Sequence, residues 1–153
     1  SAYPFLFFTG LDDFVLTRKQ IDALRKHVNS GGTLVVNNAL GLATFHQAVV
    51  REMRRAFPQS DLALLPHSHD IFRNLNSIQR VKYTPTLMKD KGEQLQGRPV
   101  LFGATVGGRL CLLYSPYDLE GGWNEVRYPL SRGYQSASAK QLGCNIIMYA
   151  MEH

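Results

Sequence analysis

The chain has 153 residues, with 17 Lys and Arg against 12 Asp and Glu, which gives a formal net charge of +5. This length fits a single domain, 1–153, and an apolar share of 44% can fill a core, which excludes a disordered chain. Two cysteines are too few for a disulfide framework. No run approaches the roughly 18 apolar residues of a membrane span.

The first part of the chain predicts a strand–helix–strand unit. Residues 5–8 are short and continuously apolar, which is typical of a strand buried on both faces. Thr17 and Gln20 have the spacing of a capping box, and Gly31-Gly32 ends the helix that follows. Residues 33–36 form the next apolar strand. Two such strands joined by a helix indicate a βαβ unit.

A second helix is predicted after this unit. Thr44 begins another capping-box pattern, and apolar residues recur every fourth position from Phe45 until Pro58. A short strand at 62–65 follows. Asp70 then has the position of a cap for one helical turn.

The second half of the chain predicts a hairpin between two loops. Residues 85–98 carry Pro, Gly, Lys and Gln and are predicted as a loop. Val100–Val106 and Leu110–Tyr114 flank Gly107-Gly108, which is a strong signal for an antiparallel hairpin. Residues 115–135 form a long loop rich in Gly, Pro and aromatic residues, and such loops are often functional.

A last helix is predicted from residue 138 to residue 151, with Leu142, Ile146 and either Ala150 or Tyr149 on its buried face. The order of elements predicts a three-layer α/β domain. Its sheet is mostly parallel, with the antiparallel hairpin near one edge.

The candidate site follows from this architecture, because ligands bind at the carboxyl ends of the strands in such sheets. The loops expected there supply amide, carboxylate and indole groups. Trp123 could stack on a sugar ring, whereas the structural alternative makes it the anchor of a self-packed loop whose amides bind Asp118. The candidate ligand-binding residues are Asn37, Asn38, Asp118, Trp123 and Glu125.

Covalent catalysis is not favoured. A nucleophile elbow would place Ser or Cys between glycines after a strand, but Asn37-Asn38 follows the strand at 33–36. Cys111 and Cys144 lie in a predicted strand and helix, and we expect both in the core. The string at 67–70, His-Ser-His-Asp, lacks further metal ligands, so turn and capping roles are expected. We expect no metal and no cofactor.

The positive charge is concentrated in residues 73–109, which hold seven basic residues against Asp90 and Glu93. These basic residues are Arg73, Arg80, Lys82, Lys89, Lys91, Arg98 and Arg109. They are 2–11 positions apart with few aromatic residues between them, so nucleic acid is not an expected partner. The simpler interpretation is a solvated connection away from the site, and anion binding is the alternative.

Five segments, in this order and over nearly the whole chain, resemble a bacterial domain-of-unknown-function family, number 4159. They are Tyr3-Pro4-Phe5-Leu6-Phe7, Leu24-Arg25 with Gly31-Gly32-Thr33-Leu34, Arg51-Glu52-Met53 with Phe57-Pro58, Asp118-Leu119 with Gly122-Trp123, and the final stretch 142–151. The resemblance implies a flavodoxin-like, class I glutamine amidotransferase-like fold without a known activity. It also implies an exported or envelope protein, because members are often exported or membrane-associated.

The same resemblance raises two further expectations. The amidotransferase cysteine has no match, because the corresponding turn begins Asn37-Asn38. Members usually have a segment before Tyr3 that adds a strand and a helix, so the chain is expected to be either a trimmed piece or a shorter variant.

Two hypotheses about function remain. The leading one is a non-catalytic module that binds a ligand or a protein partner at the strand ends. The alternative is a hydrolase that acts on a carbohydrate or cell-wall fragment, with Asp118 and either Glu120 or Glu125 as its acid and base.

Overall fold

The computed structural model describes residues 5–126 and 129–153. Its elements in chain order are β1 (Phe5–Gly10), α1 (Arg18–Asn29), β2 (Thr33–Asn38), α2 (Ala43–Ala56), β3 (Ala63–Leu64), α3 (Pro85–Leu95), β4 (Phe102–Val106), β5 (Arg109–Ser115), α4 (Glu120–Trp123) and α5 (Ser136–Glu152). Two short 3₁₀ turns, Ala39–Gly41 and Asp70–Phe72, lie between them.

In the described part of the chain the strands form one five-stranded sheet, in the order β1-β2-β5-β4-β3. β1, β2 and β5 are parallel, whereas β4 is antiparallel to both β5 and β3. The predicted α/β class and mostly parallel sheet are therefore confirmed. The hairpin is confirmed as well, and both glycines of its turn, Gly107 and Gly108, have the positive φ that such a turn requires.

Each face of the sheet has its own apolar core. β2 is buried along its whole length, and its side chains alternate between the two cores. Leu34 and Val36 pack with residues of α1 and α2, whereas Val35 packs with Leu87 of α3 and Leu142 of α5. Helices therefore cover both faces.

The chain leaves β2 and β5 toward opposite faces of the sheet. α2, which follows β2, packs on the Leu34 face, and α5, which follows β5, packs on the Val35 face. β2 and β5 are adjacent and parallel, and Val36 is in register with Tyr114. Two diverging connections leave a crevice between the carboxyl ends of the strands, which is where α/β sheets bind ligands.

β1 is more exposed than its sequence predicts. Leu6, Phe7 and Phe8 are 41%, 38% and 38% exposed, so the prediction of a strand buried on both faces was wrong. The reason is that β1 lies at the edge of the sheet, and among the described strands it pairs with β2 alone. The Phe7 side chain is still partly buried, because its ring packs against Trp123 with the two ring centroids 5.3 Å apart.

The prediction of a loop at 85–98 was also wrong, because this segment contains α3. The Thr84 hydroxyl accepts a hydrogen bond from the amide of Leu87, and Pro85 occupies the first turn, where no N–H is needed. Gly92 is buried on the helix. The Pro and Gly that suggested a loop are thus accommodated by the start and the packed face of a helix.

Of the two predicted N-terminal helix caps, the one at α1 is confirmed and the one at α2 is wrong. At α1 both bonds of the Thr17–Gln20 capping box are present. Thr44 does not cap α2, which begins one position before it. The amide of Leu42 is bound instead by the side-chain oxygen of Asn38, over 3.1 Å. A residue at the end of β2 therefore fixes the entry to α2.

Three local predictions also change in the structure. His69, not Asp70, caps the turn that follows it, because its imidazole accepts a backbone amide. Cys111 is buried as expected, but Cys144 is exposed on α5. α5 begins at Ser136, earlier than predicted.

Candidate functional site

A cavity of about 780 Å³ lies over the carboxyl ends of β2 and β5. Asn38 at the end of β2, His46 on α2 and Tyr117 after β5 contribute to its lining. Phe102 of β4 lines it as well, because β4 runs antiparallel and places Phe102 in register with Tyr114. The cavity therefore lies at the crevice that the sheet topology predicts.

A hydrogen-bonded set of three side chains underlies one wall of the cavity. The hydroxyl of the buried Tyr114 lies 3.0 Å from Nδ1 of His46 and 3.4 Å from Nδ2 of Asn38. The same Nδ2 donates to the carbonyl of Leu42 over 2.8 Å. β2, β5 and α2 are thus fixed to one another at the site, which pre-organises its shape.

These bonds decide which nitrogen of His46 carries a proton. Asn38 donates to the Tyr114 oxygen, so the hydroxyl proton is left for Nδ1 of His46. Burial holds the pKa of Tyr114 well above its ordinary value, so the hydroxyl stays protonated. Burial and then the nearby charge of Lys91 lower the pKa of His46, which favours the neutral ring with its proton on Nε2.

Cationic side chains from α3 and from two other segments also line the cavity. Lys91 lies on α3, Arg98 follows the helix, and Arg132 comes from the segment before α5. The expected solvated connection at 73–109 contains α3, and two of its exposed cations, Lys91 and Arg98, line the cavity. α3 carries part of that positive charge to the cavity.

The backbone beside Asn38 is unusual. Leu40 and Gly41 have φ values of 64° and 65°, and the amide of Arg132 donates to the Leu40 carbonyl over 2.9 Å. A Cβ on Gly41 would lie 2.2 Å from the Arg132 carbonyl oxygen. Positive φ at a residue other than glycine is a form of strain that clusters at binding sites, and here it lies at the rim of the cavity.

Two of the sequence-predicted site residues, Asn37 and Asp118, are buried against each other. The Asn37 amide donates to the Asp118 carboxylate over 3.0 Å, and its oxygen accepts the Leu119 amide over 2.9 Å. The carboxylate also accepts the backbone amides of Glu120 and Gly121, over 3.1 and 3.2 Å. Both side chains therefore shape the loop that follows β5.

Trp123 and Glu125 have local partners too. The Trp123 indole donates to the carbonyl of Ala139 and lies where a side chain on Gly143 would be, so it packs α4 against α5. The exposed Glu125 carboxylate lies 2.7 Å from the Lys140 ammonium group, which lowers its pKa. Of the five predicted residues, Asn38 alone is among those that line the cavity.

The family model for a domain of unknown function, DUF4159, matches residues 1–151 of the chain. The chain belongs to the DUF4159 family. The resemblance found from the sequence is thereby confirmed over almost the whole length. Among curated proteins, none matches the chain.

Within ranges 5–126 and 129–153 of this DUF4159 domain, no three His, Cys, Asp or Glu side chains lie close enough together to hold a metal ion. In the same ranges no helix has both the length and the apolar character needed to cross a membrane.

The cavity of the DUF4159 domain includes several residues that sequence reasoning missed. His46 lies on α2 and is not among the five predicted site residues. Arg98 and Lys91 lie in the segment taken for a loop, and Arg132 lies in the long segment between β5 and α5. The concentration of positive charge at 73–109 was the sequence signal for Lys91 and Arg98. It could not be assigned to the cavity without knowing where α3 packs.

Proposed function

We propose that this DUF4159 domain is a non-catalytic binding module that takes a small ligand into the cavity between the carboxyl ends of β2 and β5. The observation that carries the proposal is the position of the 780 Å³ cavity at the point where the chain leaves β2 and β5 toward opposite faces. A concave site of this size suits a small molecule better than a flat protein surface.

The polar groups at the site support binding rather than chemistry. Cys111 is buried within β5, and burial raises the pKa of its thiol, which disfavours the reactive thiolate. The Ser115 hydroxyl donates to the carbonyl of Tyr117 over 2.6 Å. His46 is hydrogen-bonded to a tyrosine hydroxyl rather than to a nucleophile paired with a carboxylate.

The predicted residues have different parts in this proposal. Asn38 lies at the ligand and orders Tyr114 and Leu42 around it. Asn37 and Asp118 hold the loop after β5 in the shape that borders the cavity. The parallel β1-β2-β5 core with helices on both faces also supports a flavodoxin-like, amidotransferase-like arrangement.

A cavity-filling variant tests the proposal. Ala43→Trp adds an indole at a residue that lines the cavity, whereas Ala23→Trp adds the same group on an exposed position of α1. A small-molecule panel is screened by thermal unfolding, where a ligand at 100 times its Kd stabilises the fold by about 2.7 kcal/mol. We expect the Tm increase to persist in A23W and to disappear in A43W. An equal increase in both variants would contradict binding in the cavity.

The alternative hydrolase is less well supported. The Asp118 carboxylate accepts hydrogen bonds from one side-chain amide and two backbone amides, and Glu125 is paired with Lys140. The test is turnover of oligosaccharide and peptidoglycan fragments by the unaltered domain and by Asp118→Asn. Hydrolysis by the unaltered domain that is lost in D118N, with the fold retained, would favour the enzyme over the binding module.

A further inference from the structure

We infer that the ligand of the cavity is a small organic anion whose phosphate or carboxylate group binds between Lys91 and Arg98. The inference deepens the proposed function and rests on it. It is carried by two cations of the cavity lining, Lys91 and Arg98, that form no ion pair among the described residues, and by the apolar residues that line the same cavity.

The cations reach the cavity from separate parts of the chain. Lys91 is near the end of α3, Arg98 follows that helix, and Arg132 precedes α5. Lys91 and Arg98 are exposed and take no part in the ion pairs found among the described residues. Their charges are therefore available to a ligand.

The acidic side chain at the cavity does not cancel them. Asp90 lies 3.0 Å from the Arg132 guanidinium, so these two charges largely neutralise each other. With its histidines counted as neutral, the lining carries a formal charge of +2. This excess attracts an anion and disfavours a cationic ligand.

Neutral donors add to the same preference. His46 keeps a proton on Nε2 because its Nδ1 accepts the Tyr114 hydroxyl. Burial raises the pKa of Tyr117, with Asp90 adding to the effect, so its hydroxyl also stays protonated. Phosphate and carboxylate oxygens accept hydrogen bonds, which suits a site rich in donors.

The rest of the lining selects for more than a bare ion. Leu42, Leu95 and Phe102 add apolar groups to the same lining as the cations. The Phe102 ring lies 5.9 Å from the His46 ring and 5.9 Å from the Tyr114 ring between centroids, so the lining is partly aromatic. A ligand with a ring or hydrocarbon body and one anionic group would contact both kinds of group.

Three probes with the same ring separate charge from shape. Phenyl phosphate, benzoate and benzyl alcohol are titrated into the isotope-labelled domain at low salt, and amide chemical shifts report the site and the Kd. We expect saturable shifts around His46, Lys91 and Arg98 with at least one of the two anions. Benzyl alcohol should bind with a Kd at least about tenfold higher, and added salt should raise the Kd of the anions. The better anion identifies phosphate or carboxylate as the preferred group.

Charge-neutral variants then test the two cations. Lys91→Gln and Arg98→Gln should each raise the Kd for the anion by about tenfold or more, because each removes a charge-assisted hydrogen bond. Lys89→Gln and Arg73→Gln remove the same charge from exposed positions outside the cavity lining and should leave the Kd unchanged. Lys91→Arg should retain binding. All of these positions are exposed, and an unchanged Tm verifies the fold.

The outcomes distinguish this inference from the proposed function. If benzyl alcohol binds as tightly as the anions and A43W abolishes its binding, the cavity is a ligand site and the anion inference is wrong. If the anions bind equally well to K91Q and K89Q, binding does not depend on Lys91 and the inference is also overturned. If neither anion shifts residues of the cavity at millimolar concentration, the inference fails while the wider ligand screen still tests the proposed function.

Discussion

The hydroxyl of Tyr114 donates to Nδ1 of His46 over 3.0 Å and so connects the end of β5 to α2. The two aromatic rings also stack, with centroids 5.6 Å apart and planes 25° from parallel. His46 lines the cavity, the buried Tyr114 supports it from beneath, and Nε2–H of His46 is left as a donor. The geometry of the candidate site therefore depends on a contact between two elements that are far apart in sequence.

Replacing Tyr114 by Phe should remove the hydrogen bond that holds His46 in its Nε2–H tautomer, without unfolding the domain. Loss of one hydrogen bond should lower the free energy of unfolding by about 1 kcal/mol, and Asn38 also loses an acceptor. Nitrogen chemical shifts of the His46 ring report the tautomer, and the Nδ1–H form should increase. Tyr117→Phe is the matched control, because Tyr117 lines the cavity without bonding His46. An unchanged tautomer in Y114F would contradict the assignment.

The stability of the domain should depend on His46 at mildly acidic pH. Burial and then Lys91 lower the pKa of His46 in the folded state, so the unfolded chain takes up the proton first. Stability from this group is complete above the ordinary pKa of 6.5 and falls as the pH drops from there toward the lowered value. Below the folded pKa the loss is constant.

Two variants isolate this effect. His46→Gln should flatten the pH dependence of the free energy of unfolding between about pH 5 and pH 7, relative to the unaltered domain. Lys91→Gln should raise the pKa of His46 in an NMR titration, because it removes the charge that helps to lower it. A pKa of His46 at or above its ordinary value in the unaltered domain would contradict this prediction.

Gly41→Ala should destabilise the domain through one specific contact. The new Cβ would lie 2.2 Å from the Arg132 carbonyl oxygen, so the rim of the cavity must move. Gly108→Ala is the matched control, since its φ of +79° is also positive but no atom lies within 4 Å of the added carbon. Backbone strain should cost about 1 kcal/mol in either variant, and the clash should add about 1–3 kcal/mol in G41A alone. Equal losses of Tm in both variants would show that the Arg132 contact is unimportant.

Glu52 is a buried carboxylate that should matter for stability. It accepts the Leu16 amide over 2.7 Å and pairs with Arg51 and Arg55. Glu52→Ala leaves the Leu16 amide without its acceptor and should cost about 2–3 kcal/mol in chemical denaturation. Glu93→Ala, on the exposed face of α3, should change stability by less than about 0.5 kcal/mol.

The same carboxylate predicts a loss of stability in acid. Burial alone would raise the pKa of Glu52, but hydrogen bonds from Arg51, the Leu16 amide and Arg55 outweigh burial and lower it. Its contribution is therefore present above the ordinary value of 4.5 and is lost as the pH falls through the lower folded value. E52A should lack this part of the acid transition, and an identical acid profile in both proteins would contradict the role.

Part of the fold could be predicted because its signals are local. The Thr17–Gln20 capping box and the Gly107-Gly108 turn act through neighbouring backbone groups, so a few residues suffice to identify them. α3 was missed because Pro85 and Gly92 are read as loop residues unless the cap at Thr84 and the packing of Gly92 are known. The exposure of β1 was missed because an apolar run does not record whether a strand lies in the middle or at the edge of a sheet.

For the candidate site too, the location could be predicted from the sequence but the roles of the side chains could not. The α/β pattern predicts a site at the strand ends, and Asn38 is the predicted residue that lines the cavity there. The roles of the side chains depended on long-range contacts. Asn37 and Asp118 are 81 positions apart in sequence, yet their side chains form a hydrogen bond. Their polar atoms are therefore occupied by each other rather than free for a ligand.

The sequence by itself determined the α/β class, the family and the excess of +5, because composition, periodicity and local motifs are properties of the chain. Only the tertiary structure decided where that charge lies. α3 brings Lys91, and the segment after it brings Arg98, to the cavity beside His46, whereas Lys89 lies outside the lining. Electrostatic attraction depends on distances in space, and those distances exist only once the helices have packed on the sheet.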